Sequence, residues 1–250
     1  MNLLILLLAA IVGYLLGSIS FARLVTRTFA PDQDISKLQL EVPDSDVRFE
    51  SGAISATTVR LHLGARYGCL TSILDMLKAA IPALAFRLWQ PESPAYLVAA
   101  AMSTVGHNWP IYHRFKGGRG MSPILGGMLV VDWLGVVVTQ IVGFLIGWPL
   151  KRTILAIGGG IALMAPWVWF RHHDWAELAY VIAMNVLFWG AMAPELREFG
   201  RLKREGTLET FSEAAQIRVV GRRGEETVDR LRVPNPLSQR GSETKESTEG

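Results

Sequence analysis

The residues best equipped for chemistry are Lys116-Gly117-Gly118-Arg119-Gly120, two cations and three glycines in five positions between two long apolar runs. Glycine lets a backbone turn tightly and approach a ligand with no Cβ in the way. Successive N–H groups in such a turn form an anion-binding concavity, and Lys116 and Arg119 add positive charge beside it. The apolar run that opens at Met121 reads as a helix, whose N-terminus directs partial positive charge at the same place. Two readings fit: a phosphate site at a membrane surface, or a basic cytoplasmic loop that only satisfies the positive-inside bias.

Other polar groups sit among apolar neighbours. Asp75 and Lys78 are three apart in an apolar helix, so they share a face and can pair. Ionisable groups inside a span are costly and face the bundle interior or a water-filled site. A structural ion pair and a site role both fit them. His107 follows a glycine at the end of an apolar run and is either a hydrogen-bonding residue or a base. The small, hydroxyl-rich stretch from Glu50 to Thr58 can donate to an anion or present a nucleophile. It can equally do no more than cap a helix at Thr57 or Thr58. His172 and His173 are expected to be solvated. The single cysteine, Cys69, rules out an intramolecular disulfide framework and is expected to be a buried small side chain. No Cys/His spacing suits a metal.

These groups need a scaffold, and composition says which. Half of the residues are hydrophobic and only 19% are charged. Between Gly120 and Phe170 the only charges are Asp132, Lys151 and Arg152. The formal charge of +3 is thus a sum of basic loops beside apolar runs and a mixed-charge tail, not a patch for nucleic acid. The expected fold is an all-α polytopic membrane protein, a bundle of about seven transmembrane helices with cytoplasmic motif loops and a polar C-terminal tail. The spans run from Leu3 to Leu24, Gly68 to Trp89 and Pro94 to Tyr112. A hairpin broken near Asp132-Trp133 follows over Met121 to Trp148, then Ile154 to Phe170 and Trp175 to Met192. Arg27 to Gly64 reads as a long polar loop. With the N-terminus outside and the C-terminus cytoplasmic, the basic clusters share the cytoplasmic side of a plasma membrane. Residues 1–204 form the membrane domain. Residues 205–250 are too polar to pack a core, apart from a short strand-like stretch at Gln216 to Val220.

An ordered set of short motifs carries a resemblance. Tyr14-x-x-Gly17-Ser18-Ile19-x-Phe21 comes first, then Ser51-Gly52-x-Ile54-x-Ala56-Thr57, Asp75-x-x-Lys78, Gly106-His107-x-Trp109-Pro110 and Phe115-Lys116-Gly117-Gly118-Arg119-Gly120. Over roughly residues 5–204 the chain resembles the bacterial acyl-phosphate:glycerol-3-phosphate acyltransferases of the PlsY type. The resemblance implies transfer of a fatty acyl group from acyl phosphate, not coenzyme A or a carrier protein, to the 1-hydroxyl of glycerol 3-phosphate. The product is lysophosphatidic acid, and membrane lipid is the remaining partner. It implies Ser51, His107 and Lys116 as catalytic residues. Gly52, Thr57, Arg60, Asp75, Lys78, Gly117, Gly118, Arg119, Gly120 and Ser122 would hold substrate or phosphate. No cofactor or metal is implied.

The chain also departs from the family pattern. Glu50, Ala53, Ser55 and Thr58 stand for its first Gly, first Asn, third Gly and second Asn, and Arg60 falls one position early with Leu61 in its place. Arg119 replaces a Lys, and Ser122-Pro123 replaces Ala-Thr. A third, polar motif is not visible in Ala193 to Glu198. An insertion lies at about Leu40 to Phe49. Beside active acyl transfer stand a diverged paralogue that uses another acceptor or only binds a lipid phosphate, and a non-enzymatic transporter or scaffold.

Overall fold

The computed structural model describes residues 2–32, 35, 38–41, 48–51, 53–148 and 153–204. Helix α1 (Leu3–Gly17) leads into α2 (Phe21–Phe29), strands β1 (Leu38–Glu41) and β2 (Arg48–Ser51), and α3 (Ala56–Leu63). Then come α4 (Ala65–Trp89), α5 (Ala95–Asn108), a 3-10 turn (Ile111–His113), α6 (Met121–Gly147), α7 (Thr153–His172) and α8 (Trp175–Arg204). Among the described residues four stretches are long and apolar enough to cross a membrane: Leu3–Phe29, Ala65–Trp89, Met121–Gly147 and Trp175–Pro194. The chain is an α-helical polytopic membrane protein.

Contact within the chain separates two units, Met1–Ser36 with Gly52–Pro194, and Lys37–Ser51 with Glu195–Gly250. The second holds an antiparallel ribbon in which Leu38 faces Ser51 and Glu41 faces Arg48. The tail expected from residue 205, with Gln216 to Val220, lies outside the described residues.

The first unit is the helical bundle. Its core joins Ala83, Ala95, Ala99 and Ala100 to Ile124, Met128, Ile161, Met164, Val181 and Phe188. Apolar lipid offers no hydrophobic drive for helix pairing, so close approach of small residues does that work. A Cβ on Gly13 would strike Ala99, one on Gly17 would strike Ser103, and one on Gly106 would strike the Tyr14 carbonyl. Helices α1 and α5 therefore cross backbone to backbone, which sets the height of His107.

Several expectations need correction. The first span is not one helix, because the chain breaks between Gly17 and Phe21. Ser18 Oγ turns back onto the Tyr14 carbonyl at 2.8 Å, and Ser20 is extended (φ −93, ψ 94). The polar loop from Arg27 to Gly64 contains α3 and the ribbon. Neither Thr57 nor Thr58 caps α3; Ser55 holds that position, and Thr58 Oγ1 donates to the Ala53 carbonyl at 2.6 Å. Cys69 is exposed on α4.

The break expected at Asp132 is present, since its backbone is extended (φ −151, ψ 99) inside α6. Before it, Gly126 packs on Met76 and Gly127 on Tyr180; after it, Gly135 packs on Trp167, and Gly143 and Gly147 on Ala156. Helix α8 meets Tyr96, at the end of α5 remote from Asn108 and Gly120, at Glu177, then passes Gly127 at Tyr180 and Gly158 of α7 at Phe188. The start of α7, and with it Gly147, thus lies toward the Met121 end. The limb after Asp132 returns, making a hairpin. Asp132 caps the returning limb through the Gly135 N–H at 2.9 Å, accepts from Trp167 Nε1 at 2.9 Å and pairs with Arg171 at 2.9 Å. His172 is not solvated as expected. It bridges Glu177 and, at 3.3 Å, Asp132. His173 is exposed.

Candidate active site

At the Met121 end, α4 and α5 bring three polar side chains together. Lys78 Nζ lies 2.7 Å from Asp75 Oδ1, 2.9 Å from His107 Nδ1 and 2.8 Å from the Ile19 carbonyl. The ammonium hydrogen-bonds His107 and the Ile19 carbonyl and pairs with Asp75 by charge. Asp75 and Lys78 are 2% and 6% exposed, so they act from beneath the surface. Where Lys78 donates to Nδ1, His107 is the neutral tautomer with its hydrogen on Nε2; Asp75 Oδ1 lies 3.5 Å from the same Nδ1. The break after Gly17 exposes the Ile19 carbonyl that Lys78 needs.

The glycine loop is seated on this cluster. A Cβ on Gly118 would fall on the His107 imidazole, and one on Gly117 on the His107 carbonyl. Gly118 N–H donates to the His107 carbonyl at 3.1 Å, Ile54 N–H to the Gly117 carbonyl at 3.1 Å, and Arg23 Nη1 to the Lys116 carbonyl at 3.1 Å. Gly120 has φ +79 and forms the N-cap of α6 with no side-chain cap, so the first-turn N–H groups are left for another partner. Lys116 is exposed, and Arg119 is half-buried. His113, beside the loop, is pushed below its ordinary value by burial and then by the charges of Arg23 and Lys78. The loop's surroundings are cationic.

A cleft of about 440 Å³ opens next to the loop, with apolar lining from Ile19, Leu24, Ile35 and Ile54 and basic groups Arg23, Arg27 and His113. Ile19, Ser20 and Ile54 also line the narrow pocket over Asp75, Lys78, His107 and Gly118.

Of the residues expected at the site, the fold gathers Asp75, Lys78, His107, Lys116, Gly117, Gly118, Arg119, Gly120 and Ser122. Ser122 is 8% exposed and hydrogen-bonds Ser72 Oγ at 2.9 Å. Thr57 is exposed on α3. Arg60, also on α3, packs its Cβ over Gly68. Ser51 closes β2 in the second unit, and Gly52 lies outside the described residues. Sequence reasoning missed Arg23 as a clamp on the loop and Ser72 as the partner of Ser122. Arg23 is the first charge after the opening apolar run, but its contact spans 93 positions and leaves no local signal.

Fold and site together define a polytopic helical membrane protein with a glycine-rich, cationic loop carried on a buried Asp–Lys–His cluster. The chain belongs to the glycerol-3-phosphate acyltransferase family, whose pattern matches residues 7–198. A glycerol-3-phosphate acyltransferase of Syntrophotalea carbinolica is 32% identical over 185 residues, covering 73% of this chain and 86% of that protein. The one from Mycoplasma mycoides is 30% identical over 146 residues, covering 56% and 52%. The chain spans about half the length of the curated relatives it matches first. Among solved structures it is similar to PlsY, an integral membrane glycerol 3-phosphate acyltransferase, in its glycerol 3-phosphate form. There the TM-score is 0.65 with 26% identity, over 81% of this chain and 93% of that one. The lysophosphatidic acid form of PlsY matches with the same TM-score.

Proposed function

We propose that this protein transfers a fatty acyl group from acyl phosphate to the 1-hydroxyl of glycerol 3-phosphate, giving lysophosphatidic acid at the cytoplasmic face of a bacterial plasma membrane. The observation that carries the reading is the glycine loop seated on the His107 cluster with Lys116 exposed beside it, in a chain of this family. Acyl phosphate is already activated, so positioning and charge stabilisation suffice without a covalent enzyme intermediate. The acceptor hydroxyl oxygen bonds to the acyl carbon as the bond to the phosphate oxygen breaks. Its proton goes to the departing phosphate, which leaves as hydrogen phosphate.

In this reading Lys116, Arg119 and the N–H groups of Gly117 and Gly120 hold phosphate, while Gly118, whose N–H is taken by the His107 carbonyl, seats the loop on the imidazole. His107 presents Nε2–H as a donor and is a positioning residue, not the base. Asp75 and Lys78 fix its tautomer. Ser122 steadies the first turn of α6 through Ser72, while Thr57 and Arg60 serve the acceptor. The cleft suits an amphiphile, with apolar walls for the chain and Arg23, Arg27 and His113 for the anionic end. No cofactor is needed.

For topology we propose seven spans, with the N-terminus outside and the C-terminus cytoplasmic. The hairpin at Asp132 supports that count. It leaves Lys116 and Arg119 on the cytoplasmic side, with Arg171 opposite, as the positive-inside bias requires. Residues 1–204 form the catalytic domain and 205–250 the tail.

The test is direct. The purified full chain is incubated in detergent with palmitoyl phosphate and labelled glycerol 3-phosphate, with palmitoyl coenzyme A as the alternative donor. Lysophosphatidic acid made only from the acyl phosphate is the expected result. No product from either donor overturns the reading.

A further inference from the structure

Asn108, the last residue of α5, is 6% exposed, yet neither Oδ1 nor Nδ2 has a hydrogen-bond partner among the described residues. An unpaired buried amide destabilises the fold, and a leucine of similar size would fill the position without that cost. The amide is not placed at random. A Cβ on Gly120 would lie 2.8 Å from its Oδ1 and 3.2 Å from its Nδ2, with the Thr104 methyl at 3.1 Å. The missing side chain at Gly120 is what lets the carboxamide press against the loop.

Gly120 is also the uncapped start of the limb of α6 that runs from Met121 to the break at Asp132. The N–H groups of Met121 and Ser122 belong to that first turn, and Pro123 carries none. One donor of the usual set is therefore missing where an amide NH₂ stands nearby. Backbone N–H groups, the helix N-terminus and a buried neutral donor favour an anionic oxygen without adding a charge that would have to be buried.

We propose that Asn108 is a substrate-binding residue, whose Nδ2 donates to a phosphate oxygen held at the start of α6. The proposal rests on the glycine loop being the phosphate site. The phosphate is that of glycerol 3-phosphate or that of the acyl donor, and the test separates them.

The experiment uses the full-length protein in detergent and the variant Asn108→Leu, with melting temperature measured with and without glycerol 3-phosphate, and KM and kcat for each substrate. A hydrogen bond to a charged group is worth roughly a 10- to 100-fold change in binding. The expected result is an unliganded melting temperature at or above wild type, with one KM raised at least about tenfold and kcat changed far less. A raised KM for glycerol 3-phosphate, with loss of its thermal shift, assigns the amide to the acceptor phosphate. A raised KM for palmitoyl phosphate alone assigns it to the donor. Both KM values within about twofold of wild type overturn the proposal and leave Asn108 a packing residue. If Asn108→Leu does not fold, Asn108→Ser is read the same way. Lys116→Ala is run beside it: wild-type kinetics there bring down the loop reading and this proposal together. Impaired Lys116→Ala with unaffected Asn108→Leu brings down only the role of Asn108.

Discussion

Replacing Lys78 by methionine tests the site's foundation. The side chains of Lys78 and Asp75 are 3% and 2% exposed and 2.7 Å apart. Methionine keeps the volume of the stem and removes the charge, so Asp75 is left buried with no cation, and His107 Nδ1 loses its donor. Breaking one side of a buried pair costs about 3–5 kcal/mol. For a chain of this size that corresponds to roughly 6–20 °C in melting temperature. Removing both charges, in Lys78→Met with Asp75→Leu, takes away the unpaired carboxylate. The double variant should recover to within about 2 kcal/mol of wild type, since hydrophobic replacement of a whole buried pair is often near neutral. Activity should not recover with it, because His107 has lost the donor that fixes its tautomer beneath Gly118. The assay is thermal unfolding in detergent, paired with lysophosphatidic acid formation. A Lys78→Met protein as stable as wild type, or a double variant no more stable than the single, refutes the account of the cluster.

Lys116→Ala should lower acyl transfer by about 10²–10³-fold with melting temperature unchanged, as for the loss of one charge-stabilising donor; turnover near wild type removes Lys116 from the site. Gly118→Ala puts a methyl on the His107 ring and should cost roughly 1–3 kcal/mol along with most of the activity. Gly159→Ala, with open space at its Cβ, is the neutral control, and equal melting temperatures for the two contradict the packing. For topology, Arg119→Cys should resist an impermeant thiol reagent in intact cells and His173→Cys should react. Both are made in Cys69→Ser, because Cys69 is itself exposed, and the reverse pattern inverts the proposed orientation.

The sequence by itself determined the membrane class, most of the helices and most of the residues that the fold gathers around the glycine loop. Spans declare themselves because lipid demands long uncharged runs whose backbone bonds are satisfied internally. Asp132 and Lys78 stand out because a charge in such a run is costly and so needs a reason. The glycine loop was legible because its chemistry is carried by five consecutive residues. What only the tertiary structure decided are the contacts between distant positions: Lys78 with the Ile19 carbonyl, Arg23 with the Lys116 carbonyl, Ser72 with Ser122, and Asn108 behind Gly120. His172 could not be read as the bridge between Asp132 and Glu177, nor Cys69 as exposed, for the same reason. A residue type fixes what a group can do, but a helix places side chains at every azimuth. Which of them meet depends on how closely α1, α4, α5 and α6 approach, and Gly13, Gly17 and Gly106 allow that approach without announcing its partners.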